Sequence, residues 1–257
     1  MPDPKLDGMI DTIEGEILPR LMLTFLDTGD GATDAISELD RADFLKLVLS
    51  ASADDMRAFM ENLVARGVPE EVVLADLLAT AARRLGELWE EDLCDFTEVT
   101  LGLCRLHEVL RNASVCGDVS FVRKDTQAPS ILLTNGPEDQ HVFGLLMVAE
   151  FFRRDGWRVW SEPGADIEHV CGILRREAID VVGLSISCSP GDQDVSRTLS
   201  AMRSASTSPD LKVFLGGHAV LSDAALVGRV GADGWAEDAI SAPKACRALL
   251  ADRNDDC

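Results

Sequence analysis

Residues 181–217 read VVGLSISCSPGDQDVSRTLSAMRSASTSPDLKVFLGG, and the fold is decided here. Val181–Ser187 is a short, very apolar run, the pattern of a strand covered on both faces. Asp192–Ala205 reads as a helix. Lys212–Leu215 is a second apolar strand, ending in Gly216–Gly217. Two strands joined through a helix cannot form a hairpin, so they run parallel in one sheet.

The same rhythm extends in both directions. Upstream, Ser130–Thr134 (SILLT) reads as a strand, Val142–Arg154 as a helix ending at Gly156, Trp157–Trp160 as a strand and Asp166–Glu177 as a helix. Downstream, a helix starts near Ala219. A short strand lies near Gly234–Ala236, and Pro243–Asp252 is a last helix. Five strands in this alternation predict a flavodoxin-like (Rossmann-type) parallel sheet in the order 2-1-3-4-5, with helices on both faces.

The first 115 residues read differently. A helix begins near Pro69, a good first-turn residue. Leu74, Leu77, Leu78, Ala81, Leu85 and Leu88 share one face of it, with Trp89 beside them. A second helix follows, with Asp95 as its cap and Glu98 completing a capping box. Val99, Leu103, Leu106 and Leu110 form its buried face. Ala42–Val64 carries more helical pattern, and Thr28–Thr33 is a Gly/Asp turn. These segments predict a helical bundle over 1–115, a linker over 116–129 and the α/β domain over 130–257.

Composition narrows the function. The chain has 257 residues, 46% of them apolar, with 24 Lys+Arg against 45 Asp+Glu and a formal net charge of −21. Such a chain repels phosphate backbones and anionic lipid, so neither direct nucleic-acid binding nor membrane docking is expected. No apolar run approaches the ~20 residues of a membrane span. The N-terminus lacks the pattern of a secretory signal, and a cytoplasmic protein is expected. The seven cysteines are odd in number and lack Cys-x-x-Cys spacing, which argues against a disulfide framework or a closed zinc site.

In such sheets ligands bind beyond the carboxyl ends of the strands. Three unusual segments fall there. After the first strand comes NGPEDQHVFG (135–144), in which Asp139, His141 and Gly144 are spaced D-x-H-x-x-G. After the third come Ser185, Ser187 and Ser189. After the fourth come Gly216, Gly217 and His218. Strands one, three and four are neighbours in the expected order, so the segments line one crevice. A loop histidine can offer a ring nitrogen to a metal while Asp139 fixes the other nitrogen. Gly144 lets the next helix start close to a ligand, Gly216–Gly217 clear space for one, and the serines offer hydroxyls to a polar tail. One imidazole suits a metal already caged by a macrocycle with a free axial position.

D-x-H-x-x-G, then S-x-S, then Gly-Gly resembles the signature of cobalamin-binding domains, and the helical stretch with LGELW resembles their cap over the corrin. The resemblance covers about residues 70–250. It implies cobalamin as cofactor and His141 as lower cobalt ligand in place of the cofactor's own benzimidazole, with Asp139 behind it. It implies a slot for the displaced nucleotide tail beside Ser185, Ser187, Gly216 and Gly217, and Trp89 over the upper face. LGELWEEDLCDFTEVTLGLCRLHEVLR (85–111) is further similar to the PpaA/AerR group of photosynthesis regulators. Those proteins are antirepressors that bind a separate DNA-binding transcriptional repressor, not enzymes. Light-sensing relatives carry W-x9-E-H over the upper face. Here Val99 and Thr100 stand at those positions and Glu98 is one place off, which leaves room for a different upper ligand.

Each residue also has a plainer reading. Trp89 fits an ordinary core position, Ser185 and Ser187 fit a strand end, and Gly216–Gly217 fit a tight turn. His107 reads as structural, and His169 as a surface residue. Cys188 sits in the crevice without a basic neighbour to activate it. The same architecture also serves corrinoid proteins that carry methyl groups for a methyltransferase system, which is the alternative reading. Haem would leave the serine and glycine segments unexplained. Flavin would want a Ser/Thr-rich loop after the first strand.

Overall fold

The computed structural model describes residues 35–116, 128–137, 139, 142–187 and 191–251. The Thr28–Thr33 turn and most of the linker fall outside them. The chain divides at Ala113/Ser114 into a helical unit and a sheet unit. No described helix is long and apolar enough to cross a membrane.

The helical unit opens with α1 (Glu38–Ser50) and α2 (Ala53–Ala65). The apolar pattern over Ala42–Val64 belongs to two helices rather than one. The break at Ala51–Ser52 is chemical. Ser52 Oγ accepts from the Asp55 amide, and the Asp55 carboxylate accepts from the Ser52 amide. Ser37 and Asp40 do the same for α1. These reciprocal bonds satisfy amide groups that a helix start leaves unpaired. At the other end of α1, Arg105 donates to the Val48 and Leu49 carbonyls at 2.7 and 2.8 Å.

The third helix, α3, starts after Pro69 with Glu70–Val73, widens into a π-helical turn at Leu74–Leu78 and resumes as Ala79–Glu90. Asp76 in the wide turn receives Arg41 Nε and Nη2 at 2.9 and 2.6 Å, tying it to α1. Leu74, Leu77, Leu78, Ala81 and Leu85 are buried, as their spacing requires. The fourth helix, α4 (Phe96–Cys116), is capped by Asp95 and Glu98, which exchange amide-to-carboxylate bonds of 2.8 and 2.9 Å. It buries Val99, Leu106, Val109 and Leu110, while Leu103 is half-buried.

Two predictions arise in this unit. A Cβ on Gly102 of α4 would lie 2.9 Å from Leu85 Cδ1 and 3.3 Å from Val48 Cγ1, both in buried side chains. Gly102→Val should therefore destabilise the chain by about 1–3 kcal/mol through overpacking, seen as a lower melting temperature. The second concerns acid. The Arg66 guanidinium, and then the Ser37 hydroxyl, hold the Asp40 carboxyl at about 2, below its ordinary 3.8. A pKa depressed by folding gives stability that is present above the ordinary value and lost as pH falls from 3.8 toward 2. Melting curves of Asp40→Asn should show a shallower loss of stability across that window than wild type.

The sheet unit comprises β1 (Ser130–Asn135), α5 (Val142–Arg154), β2 (Arg158–Glu162), α6 (Ile167–Leu174), β3 (Val181–Ser185), α7 (Asp192–Ala205) and β4 (Lys212–Gly216). Two short helices, α8 (His218–Ser222) and α9 (Ala225–Val230), then β5 (Gly234–Trp235) and α10 (Ala242–Ala251) complete it. All pairings are parallel, in the order β2-β1-β3-β4-β5. The helix read downstream of Ala219 is two helices, α8 and α9.

Alternation along the strands divides the core in two. Leu132, Val182, Leu184, Val213 and Leu215 pack with α6, α7, α8 and α9 on one face. Ile131, Leu133, Val181 and Phe214 pack with α5 and α10 on the other. With both faces covered, functional groups are left to the strand ends.

Candidate functional site

The carboxyl ends of β1, β3 and β4 meet in register. Asn135 pairs with Ser185, and Ser185 with Gly216. Beyond the strands the backbone keeps the three segments together. Gly136 N–H donates to Ser185 O at 2.7 Å, Ile186 N–H to Gly216 O at 2.8 Å, and Ala219 N–H to Ile186 O at 3.1 Å. The loop after β1 is fastened to the one after β3 by Asp139, whose Oδ2 accepts the Ser187 N–H at 2.6 Å. Asp139 is 5% exposed and Ser187 8%. The structure thus brings together Asp139, Ser185, Ser187, Gly216 and Gly217. His141 and Ser189 lie outside the described residues. Gly144 stands in the first turn of α5.

The two glycines have different reasons to be there. Gly217 has φ +96, and a Cβ on it would lie 2.5 Å from Ile186 O. Its smallness therefore serves the protein's own backbone, as the tight-turn reading of this position has it. Among the described residues, nothing lies within 4 Å of the Gly216 Cβ position. By two-residue alternation from Val181 and Phe214, Ser185 and Gly216 face the α5/α10 side. Among the described residues, neither the Ser185 nor the Ser187 hydroxyl has a hydrogen-bond partner. A row of open space and uncommitted hydroxyls on one side of a strand end is what a polar ligand tail requires.

A cavity of about 350 Å³ lies at the end of β1 on the opposite side, between α6 and α7, lined by Asn135, Asp139, Asp166, Val170 and Met202 among others. It does not touch Ser185, Ser187, Gly216 or Gly217, so it is distinct from the hollow expected beside them. Asn135 was not singled out by the sequence reading. Its Oδ1 accepts the Gly164 N–H at 3.0 Å and so holds the loop after β2 against β1. The Asn-Gly-Pro turn signal at 135–137 was the available clue.

Residues 129–244 match the B12 binding domain family. The match lies within the sheet unit. Cobalamin is the cofactor, and the residues present fit it: Ser185, Ser187 and Gly216 offer hydroxyls and space at the strand ends, and Asp139 of the D-x-H-x-x-G motif is buried. This chain is 29% identical over 181 residues to an uncharacterized 20.5 kDa protein of the bchF–crtJ intergenic region in Rhodobacter capsulatus. That alignment spans 69% of this chain and 92% of the relative. The fold is shared with a monomethylamine corrinoid protein of Methanosarcina barkeri, at a TM-score of 0.61 and 17% identity, covering 86% of this chain and all of that one.

Asp139 in the B12 binding domain yields a direct test. Asp139→Ala leaves the buried Ser187 N–H without an acceptor, a loss of about 1–3 kcal/mol. Asp139→Asn keeps an oxygen in place and should recover most of that stability. Thermal melts without cofactor compare the two.

Among the other singled-out residues, Trp89 is half-buried in the last turn of α3, not a core residue. Glu98 serves as the cap of α4. The His107 ring is partly buried, and burial pushes its pKa down against a hydrogen bond to the Leu103 backbone. His169 is exposed, 3.1 Å from Glu162, and His218 is exposed, 3.2 Å from Ser222. Cys188 lies outside the described residues. No cluster of His, Cys, Asp and Glu among the described residues could hold a bare metal ion.

Proposed function

We propose that this chain is a cobalamin-binding regulator that acts as an antirepressor, meeting a separate DNA-binding repressor of photosynthesis genes and relieving it. The observation that carries this reading is the pairing of the B12 binding domain with a relative from the bchF–crtJ photosynthesis gene region. The charge of −21 supports contact with a basic protein rather than with DNA itself. A cytoplasmic, non-catalytic role belongs to the same reading.

In it, His141 holds the lower face of the cofactor and Asp139 orients the imidazole. Ser185, Ser187 and Ser189 receive the nucleotide tail in the space that Gly216 leaves. Gly144 lets α5 begin close by, and Trp89 meets the upper face. Bound cobalamin supplies visible absorption and an upper bond that light can open. The chain's part is linkage. A cofactor that favours one arrangement of the protein favours whatever partner binds that arrangement.

The methyl-carrier reading uses the same cofactor and the same fold, and the likeness to the monomethylamine corrinoid protein supports it at the level of fold. One experiment orders the possibilities. Purified protein is mixed with hydroxo-, methyl- and adenosylcobalamin, desalted, and its spectrum recorded in darkness and after illumination. Repressor release from promoter DNA is then followed in a gel shift. Colour with cofactor-dependent release supports the antirepressor. Colour without release, together with methyl transfer to a thiol, supports the carrier. A colourless protein rejects both.

A further inference from the structure

β2 (Arg158–Glu162, RVWSE) is an edge strand: β1 pairs with one side of it and, among the described residues, no strand pairs with the other. Arg158 N–H donates to Pro129 O at 2.9 Å, so the backbone groups of Arg158, Trp160 and Glu162 face β1. In a parallel ladder the residues between them turn their N–H and C=O the other way. Val159 and Ser161 therefore present their backbone groups outward, and these have no partner among the described residues. An unpaired edge is a template for another strand, and native proteins often blunt it with proline or lysine. RVWSE contains neither.

The side chains say which strand fits. Trp160 packs against the α6/α7 face of the core and Val159 against the α5/α10 face. Alternation puts Arg158 and Glu162 on the Trp160 side. The Arg158 guanidinium lies over the Trp160 ring, 5.4 Å from its centroid, and its Nε is buried without a hydrogen-bond partner. Arg158 makes no ion pair among the described residues, while Glu162 Oε2 lies 3.1 Å from His169 Nε2 on α6. Laid antiparallel on itself with Trp160 opposite Trp160, the strand sets Arg158 opposite Glu162 and Val159 opposite Ser161. In that register Val159 and Ser161 form the hydrogen-bonded pairs, and the other residues form the closer, non-hydrogen-bonded pairs. Backbone direction and charge thus select the same alignment.

We infer that β2 pairs antiparallel with β2 of a second copy of this chain, joining two five-stranded sheets about a twofold axis. Each Val159–Ser161 pair exchanges backbone hydrogen bonds. Each Arg158 gains the carboxylate of Glu162 from the other copy. A second copy is chosen over an unrelated strand because the charges of this edge complement their own reverse. The inference rests on no part of the cobalamin reading.

Sedimentation velocity of the full chain over a concentration series tests it. Wild type should pass from monomer to dimer as concentration rises. Arg158→Glu or Glu162→Arg sets like charges opposite each other at both ends of the pairing and should weaken association by about tenfold. The double variant Arg158→Glu/Glu162→Arg restores opposite charges between its own copies and should recover the dimer, which a misfolded variant would not do. Amide exchange at Val159 and Ser161 should slow as the dimer forms. A wild-type chain that stays monomeric overturns the inference and leaves the edge to a strand of another protein. A dimer indifferent to the single substitutions, or single variants that the double does not rescue, overturns it as well.

Discussion

Gly217→Ala is expected to lower the melting temperature of the sheet unit by roughly 10 °C, with Gly216→Ala beside it nearly silent. The two positions are adjacent and look alike in sequence, yet their surroundings differ. At Gly217 the φ of +96 is one that L side chains rarely adopt, and the new Cβ would sit 2.5 Å from Ile186 O and 2.8 Å from its carbonyl carbon. Those are backbone atoms, fixed by the Ala219-to-Ile186 hydrogen bond, and cannot swing away as a side-chain end can. The combined strain is on the order of 3 kcal/mol. At Gly216 a Cβ meets nothing within 4 Å among the described residues. A large residue there, such as Gly216→Trp, should leave folding intact and block cobalamin retention. Differential scanning fluorimetry on the cofactor-free protein and absorbance after desalting separate the two effects. Equal melting of Gly217→Ala and wild type would contradict the backbone argument.

His141→Ala is expected to weaken cobalamin retention by at least about tenfold, about 1.4 kcal/mol, while leaving the melting of the cofactor-free chain unchanged. In the sequence His141 follows two residues after Asp139, which is buried and accepts the Ser187 N–H. The measurement is equilibrium dialysis with hydroxocobalamin, accompanied by the absorption spectrum, which reports the lower ligand. Unchanged spectrum and retention in His141→Ala would remove this imidazole from the cofactor and leave the serine and glycine row as tail site alone. Asp139→Ala, which breaks the bond to Ser187, distinguishes loss of the ligand from loss of that bond.

Much of the sheet unit was legible because its signals are local. Val142–Arg154 and Asp192–Ala205 have the bounds read from pattern, since each lies between a strand and a clear stop. The five-strand order followed from alternation and from the rule that places the switch point. In the helical unit, the break between α1 and α2 was missed because the apolar pattern runs through it. The two Ser-x-x-Asp boxes at Ser37 and Ser52 were present as letters but only act through reciprocal backbone bonds. The π turn at Leu74–Leu78 had no periodic signature, and Asp76 within it is held by Arg41, thirty-five residues away.

The sequence by itself determined which segments are strands and helices, the parallel order of the sheet and the three motifs that gather at its carboxyl edge. Those depend on residue spacing along one chain, where hydrophobic burial and turn chemistry act locally. The tertiary structure alone decided that Asp139 bonds the Ser187 amide, that Gly217 exists for Ile186 and that Gly216 borders open space. Each of these depends on distances between atoms about thirty to fifty residues apart, or on φ at a single glycine. No pattern of residue types encodes such distances.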